Sequence, residues 1–193
     1  MRYFIIVILV VLGCKDTGVF TPKPRMYPKI NYPERSYKTF EESYCEFTFE
    51  VPMYTVTDQE QSFFEEKPLN PCWFDLEIPD LNGQLHFSYY PIESRQRFDE
   101  LVSDAFTFVE KHDIKANYRS ETLLDTPQGL HGILFDIDGP VASPIQFFLT
   151  DSTAHFVRAS LYFNNKVEPD SMAPVYAFVR EDIERMIQTM RFK

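Results

Sequence analysis

The chain has 193 residues, a formal net charge of −10 and 16% aromatic residues. An acidic balance repels a phosphate backbone and argues against nucleic-acid binding, while the aromatic content argues against disorder over most of the length. The length suits one domain plus a tether.

The first element is MRYFIIVILVVLGC. Arg2 is followed by an unbroken apolar run from Phe4 to Leu12. A helix crossing a bilayer needs about 20 apolar residues. This run is therefore too short to span and fits the h-region of a secretory signal peptide. It ends Val11-Leu12-Gly13-Cys14, which resembles a lipobox, with Val11 where Leu is usual. At such a site the cysteine sulfur takes a diacylglyceryl group through a thioether, and the cysteine becomes the new N-terminus. Multiple palmitate-type chains hold a protein stably, because each buried CH₂ contributes about 0.8 kcal/mol. Lys15 follows the cysteine. By the proteobacterial sorting rule, the absence of Asp there points to the outer membrane. Lys15-Asp16 only partly matches a surface-export signal, so the expected location is the periplasmic face. The expected organisation is a signal peptide over 1–13, a lipidated proline-rich tether over 14–43, and a single globular domain over 44–193.

The tether reading rests on Pro22, Pro24, Pro28 and Pro33, whose spacing forbids helix and favours an extended path. The segment is locally basic, with Lys23, Arg25, Lys29 and Arg35. Once Cys14 is used by lipid, Cys45 and Cys72 remain as an even pair in an oxidising compartment. A bridge between them would close a loop of about 26 residues and stabilise by about 3.5 kcal/mol in the chain-entropy model.

From Tyr44 the chain alternates. Cys45, Phe47, Phe49 and Val51 share one parity, a strand pattern. Residues 54–71 read mostly as loop. Phe74, Leu76 and Ile78 predict a second strand. Leu81-Asn82-Gly83 predicts a hairpin turn, and Leu85, Phe87 and Tyr89 line the returning strand. The period then changes: Phe98, Leu101, Val102, Ala105, Phe108, Val109 and His112 predict an amphipathic helix over 93–112, started by Ser94 or Glu93. Strands are predicted over 117–124, 130–137, 144–150 and 154–163, with Asp151-Ser152-Thr153 as a turn. Val175, Val179, Ile183, Met186, Ile187 and Met190 predict a closing helix over 173–190. Hairpin-linked strands imply an antiparallel sheet. The expected fold class is α+β, an antiparallel sheet with two amphipathic helices on one face. The order of elements resembles the Mog1/PsbP-like fold, an analogy at fold level only.

Three motifs invite a catalytic or metal reading. Asp136-Ile137-Asp138-Gly139-Pro140 is similar to the nucleophile loop of an aspartate-dependent phosphatase. Pro140, however, replaces the phosphate-binding Thr, and the antiparallel pattern conflicts with the crossover topology that chemistry needs. A strand ending in a turn accounts for the Asp and Gly. Asp151, Ser152 and His155 surround one tight turn and are not expected to converge as a triad. His86, His112, His131 and His155 show no i, i+4 pair and no His-Glu-x-x-His. No catalytic residue, metal ligand or cofactor is therefore expected. Trp73, Tyr90 and Tyr162 are the interaction candidates, either exposed anchors for a partner or covers for the sheet's open face.

Three blocks carry a family resemblance. They are the lipobox followed by Pro22-Lys-Pro-Arg-Met-Tyr-Pro-Lys-Ile-Asn-Tyr-Pro-Glu34; Cys45-Glu-Phe-Thr-Phe49 with Pro71-Cys-Trp73 and Leu85-His-Phe-Ser-Tyr89; and the run from Gly139 to Phe163. The whole chain resembles the gliding-motility lipoprotein GldD family, with Ala159 where Gly is common. The resemblance implies an envelope lipoprotein needed for gliding and linked to type IX protein secretion. It implies a membrane held through N-terminal lipid and other gliding or secretion envelope proteins as partners. No catalytic residues come with it. The alternative is a lipid-anchored periplasmic binding module for a small molecule or peptide.

Overall fold

The computed structural model describes residues 29–59, 70–164 and 169–193. One compact unit runs from Asn31 to Lys193. The expected signal peptide, the Cys14 lipidation position and tether residues 14–28 lie outside the described residues. Among the described residues no helix is long and apolar enough to cross a membrane.

Among the described residues, ten strands and two helices make the body. β1 is Tyr37–Phe40, β2 Phe47–Pro52, β3 Val56–Gln59, β4 Trp73–Ile78 and β5 Gly83–Pro91; helix α1 follows at Arg95–Asp113. Then come β6 Tyr118–Asp125, β7 His131–Asp138, β8 Ile145–Thr150, β9 His155–Phe163, helix α2 at Pro169–Thr189 and β10 Arg191–Phe192. Seven strands form one sheet in the order β3-β4-β5-β9-β8-β7-β6, and β1-β2-β10 form a small second sheet. Every pairing is antiparallel. The α+β class and the antiparallel sheet stand as the sequence suggests.

Local chemistry starts and stops these elements. Ser94 accepts from the Arg97 backbone N–H at 3.1 Å and caps α1, satisfying one of the orphan donors of a helix start. The β4–β5 hairpin is where Asn82-Gly83 puts it, but its turn is longer than two residues. Pro79 opens a short 3₁₀ turn over Pro79–Leu81, and Asn82 closes it in the left-handed region at φ 51°, which Asn tolerates.

Register decides the faces. Phe74, Phe87, Ala159, Phe147 and Leu134 lie opposite one another across successive strands and share one face. Phe40 stacks 4.6 Å from Phe74, and Phe49 lies 5.3 Å from Phe87; the small sheet thus covers this face over β4 and β5. Arg180 of α2 bonds Asp136 of β7, placing α2 over the other half of the same face. Each large apolar side chain buried in such a layer contributes about 1.5–3 kcal/mol. The opposite face carries Phe135, Ile137, Phe148 and Phe156, which form a core cluster with Leu101, Ala105 and Val109 of α1.

The two helices therefore sit on opposite faces, not on one as the sequence suggests. The physical reason lies in β8, buried at all six positions. A strand apolar on both sides needs a cover on each.

The domain boundary also moves. The body begins at Asn31, so the segment 31–43 expected in the tether is part of it. β1 pairs with β2 from Tyr37↔Pro52 to Phe40↔Phe49; an extended, proline-compatible path is also a strand's path. β3 and β10 were not anticipated, because strands of four and two residues carry too little alternation to read.

Candidate interaction face

α1 covers only part of its face of the sheet. The register sets Trp73 opposite Ser88, Asp75 opposite His86, and Gln84 opposite Tyr162. These residues share the α1 face but lie toward the β3 edge, beyond the helix. Trp73, Tyr90 and Tyr162 all belong to this strip and are half-buried. Trp73 meets Tyr90 edge-on at 5.5 Å, and its indole N–H donates to the Tyr89 carbonyl at 3.1 Å. Tyr90 lies 5.9 Å from the Arg97 guanidinium, near the start of α1. Tyr162 lies 6.5 Å from His112, near its end. The helix forms one wall of this aromatic and polar strip.

The floor of the strip is hydrogen-bonded. His86 Nδ1 bonds Asp75, and Gln84 Nε2 donates to His86 Nε2 at 2.9 Å. Tyr162 meets the His86 ring edge-on at 5.1 Å. Beneath α1, Arg158 Nη2 donates to Gln146 Oε1 at 3.3 Å and Ser160 Oγ at 3.2 Å, and its guanidinium lies 3.9 Å from the Phe108 ring centre. Burial pulls the Arg158 pKa below the usual arginine value. Burial, then the nearby Arg158 charge, also lowers that of His112. Gln146 is 1% exposed, and its Nε2 has no hydrogen-bond partner among the described residues.

A second polar cluster ties down the start of the body. Asp182, 1% exposed, accepts from Arg35 Nε at 3.0 Å, from the Tyr37 hydroxyl at 2.7 Å and from the Tyr54 hydroxyl. Arg35 also donates to the Phe178 carbonyl at 2.8 Å and pairs with Glu181. The sequence reading missed this cluster, although a signal was present. Asp182 falls among Val179, Ile183 and Met186, on the apolar stripe of α2.

The catalytic lures have structural roles. Asp136 pairs with Arg180, the Asp138 carbonyl accepts from Asn117 N–H at 2.8 Å, and Gly139 has φ +130°. A Cβ on Gly139 would come within 2.8 Å of the Lys115 carbonyl oxygen. Asp151 accepts from the backbone N–H groups of Thr153, Ala154 and His155 at 2.8–2.9 Å. Burial opposes its charge, but these three donors hold its pKa below the ordinary carboxylate value. The His155 ring turns to the Tyr89 hydroxyl at 2.7 Å instead, and Ser152 occupies the left-handed position of the turn at φ 64°. Among the described residues no three His, Cys, Asp or Glu side chains gather as metal ligands would. Cys45 and Cys72 are joined in a disulfide and are buried.

Fold and face together define a disulfide-stapled α+β body whose candidate site is an aromatic strip on the sheet beside α1. The family model for the gliding motility lipoprotein GldD matches residues 17–192. The chain belongs to that family, and so to the membrane-anchored lipoproteins of gliding motility. No curated protein matches it in sequence. Among solved structures it is similar to the solution structure of cyanobacterial PsbP (CyanoP) from Synechocystis sp. PCC 6803, at 9% identity and a TM-score of 0.49, covering 83% of this chain and 95% of that one.

Proposed function

We propose that this lipoprotein is a non-catalytic interaction subunit of the gliding machinery, associated with type IX protein secretion. Acyl chains on Cys14 fix it to the outer membrane, with the body on the periplasmic side. The proline-rich segment sets its reach, and the body presents a surface to other envelope proteins.

One observation carries the reading: Trp73, Tyr90 and Tyr162 are half-buried on one strip of the sheet, where Trp73 meets Tyr90 edge-on. Aromatic side chains with a polar handle lose little entropy on docking and dominate many interfaces. The polar floor around His86 is hydrogen-bonded to Asp75 and Gln84, so docking on it leaves those groups paired.

The test is photo-crosslinking in intact cells, with the reactive residue at positions 73, 90 and 162 and a control at Gln96 on the outer surface of α1. Envelope subunits of gliding or secretion should be captured from the strip and not from the control. Capture of soluble metabolites alone would overturn the reading. So would a mature protein with an unmodified Cys14 thiol that diffuses freely.

A further inference from the structure

We propose a second interaction surface, on the other side of the molecule: β6 accepts an extended segment of another protein as an added strand. That segment alternates apolar residues with lysine or arginine.

β6 is eight residues long and ends the large sheet. Among the described residues it pairs only with β7, so one row of its backbone N–H and C=O groups faces outward. Proteins usually blunt such an edge with proline, charged side chains, a bulge or a cover. β6 carries Arg119, Glu121 and Asp125 but no proline or lysine, and its register with β7 runs unbroken from Tyr118↔Asp138 to Asp125↔His131. It instead exposes two large apolar side chains, Leu123 at 82% and Tyr118 at 66%. The opposite edge, β3, has only four residues.

A groove of about 300 Å³ runs beside this edge where α2 stops short of it. Thr122, Leu124, Leu134 and Ile187 line it, with Arg180 and Gln188. Tyr118, Thr122 and Leu124 share the face of β6 that fronts the groove, because Thr122 lies opposite Leu134. An added strand would send alternate side chains along that groove while its backbone pairs with the edge. This is the division of labour in strand addition, with main-chain bonds for affinity and alternate pockets for specificity.

Charge selects the occupant. Both arginines of the rim are already committed, Arg119 to Asp113 and Glu121, Arg180 to Asp136 and Glu184. Asp125 has an 83% exposed side chain and, among the described residues, an ion-pair distance only to His131, at 3.5 Å. The rim is therefore net acidic, and a basic strand complements it.

The test is hydrogen–deuterium exchange on the full chain in detergent, with a synthetic probe peptide of alternating lysine and valine matched in length to β6. The expected result is saturable slowing of exchange across β6. Leu123→Lys, a surface change, should weaken binding by about tenfold, and Trp73→Ala should leave it unaltered. A peptide of alternating glutamate and valine should be inert, as should a lysine–valine peptide interrupted by proline. Absence of slowing overturns the proposal, as does an equal response to the glutamate peptide. Slowing that rises with protein concentration alone, with a doubled mass, also overturns it by making a second copy the occupant. The outcome at Trp73 separates this surface from the aromatic strip, whose failure would leave the edge result standing.

Discussion

Arg35 Nε donates to Asp182 at 3.0 Å across 147 positions of sequence. The bond fastens the start of the body to the middle of α2. The carboxylate is 1% exposed and has three partners, Arg35, Tyr37 and Tyr54. Removing it strands two hydroxyls and leaves Arg35 with Glu181 and the Phe178 carbonyl. Asp182→Ala should therefore destabilise by about 3 kcal/mol, read as a lower urea midpoint. Trypsin should also cut after Arg35 much faster than in the wild type. An unchanged cleavage rate would show that the bond does not hold the segment.

The same cluster makes the body sensitive to alkali. Burial, then the hydrogen bond to Asp182, raises the Tyr37 pKa from 10.0 to about 12; the same causes push Tyr54 up as well. A folded-state pKa above the unfolded value means that the native state keeps its proton where the unfolded state has lost it. Stability from this source is complete below pH 10 and disappears as pH rises toward 12. Thermal melts across that window should show a steady fall, flattened in the Tyr37→Phe/Tyr54→Phe variant.

The disulfide joins the residues just before β2 to those just before β4, so it staples the small sheet to the large one. Reduction, or Cys45→Ala with Cys72→Ala, should cost about 3.5 kcal/mol. That corresponds to a melting temperature lower by about 10 °C, checked by calorimetry with and without reductant. Cells unable to form disulfides should accumulate less of the protein.

Gly132 is a packing requirement. A Cβ there would meet the Phe148 carbonyl oxygen at 1.9 Å, and backbone cannot move aside without breaking the β7–β8 ladder. Gly132→Ala should be destabilising by several kcal/mol, on the order of 3. Gly129, where nothing lies within 4 Å of the added atom, has φ +75° and should show only the milder cost of that backbone conformation. Comparing the two by chemical denaturation separates crowding from strain.

His112 should titrate below the ordinary histidine pKa of 6.5, because burial and then the Arg158 charge disfavour its protonated form. Stability from its neutral state is present above pH 6.5 and is lost as pH falls through the depressed folded-state pKa. An NMR titration should show the low midpoint, and Arg158→Gln should move it upward. An unshifted midpoint in that variant would remove Arg158 as a cause.

The order of elements was legible because burial alternates locally. Phe47 and Phe49, then Phe74, Leu76 and Ile78, announce strands by their spacing, and Leu101, Ala105 and Val109 announce a helix by theirs. Ser94 announces where that helix begins. The sequence also places Trp73 and Tyr90 together, since a hairpin at Asn82 fixes which residues of β4 and β5 share a face. Periodicity says that a side chain is buried but not against what. The tertiary structure alone put α1 and α2 on opposite faces, drew 31–43 into the body, gave Arg35 its partner in Asp182 and left β6 at an edge. Each of these depends on contacts between residues far apart in the chain. Such contacts follow from how whole layers cover one another, and no local stretch of sequence carries that information.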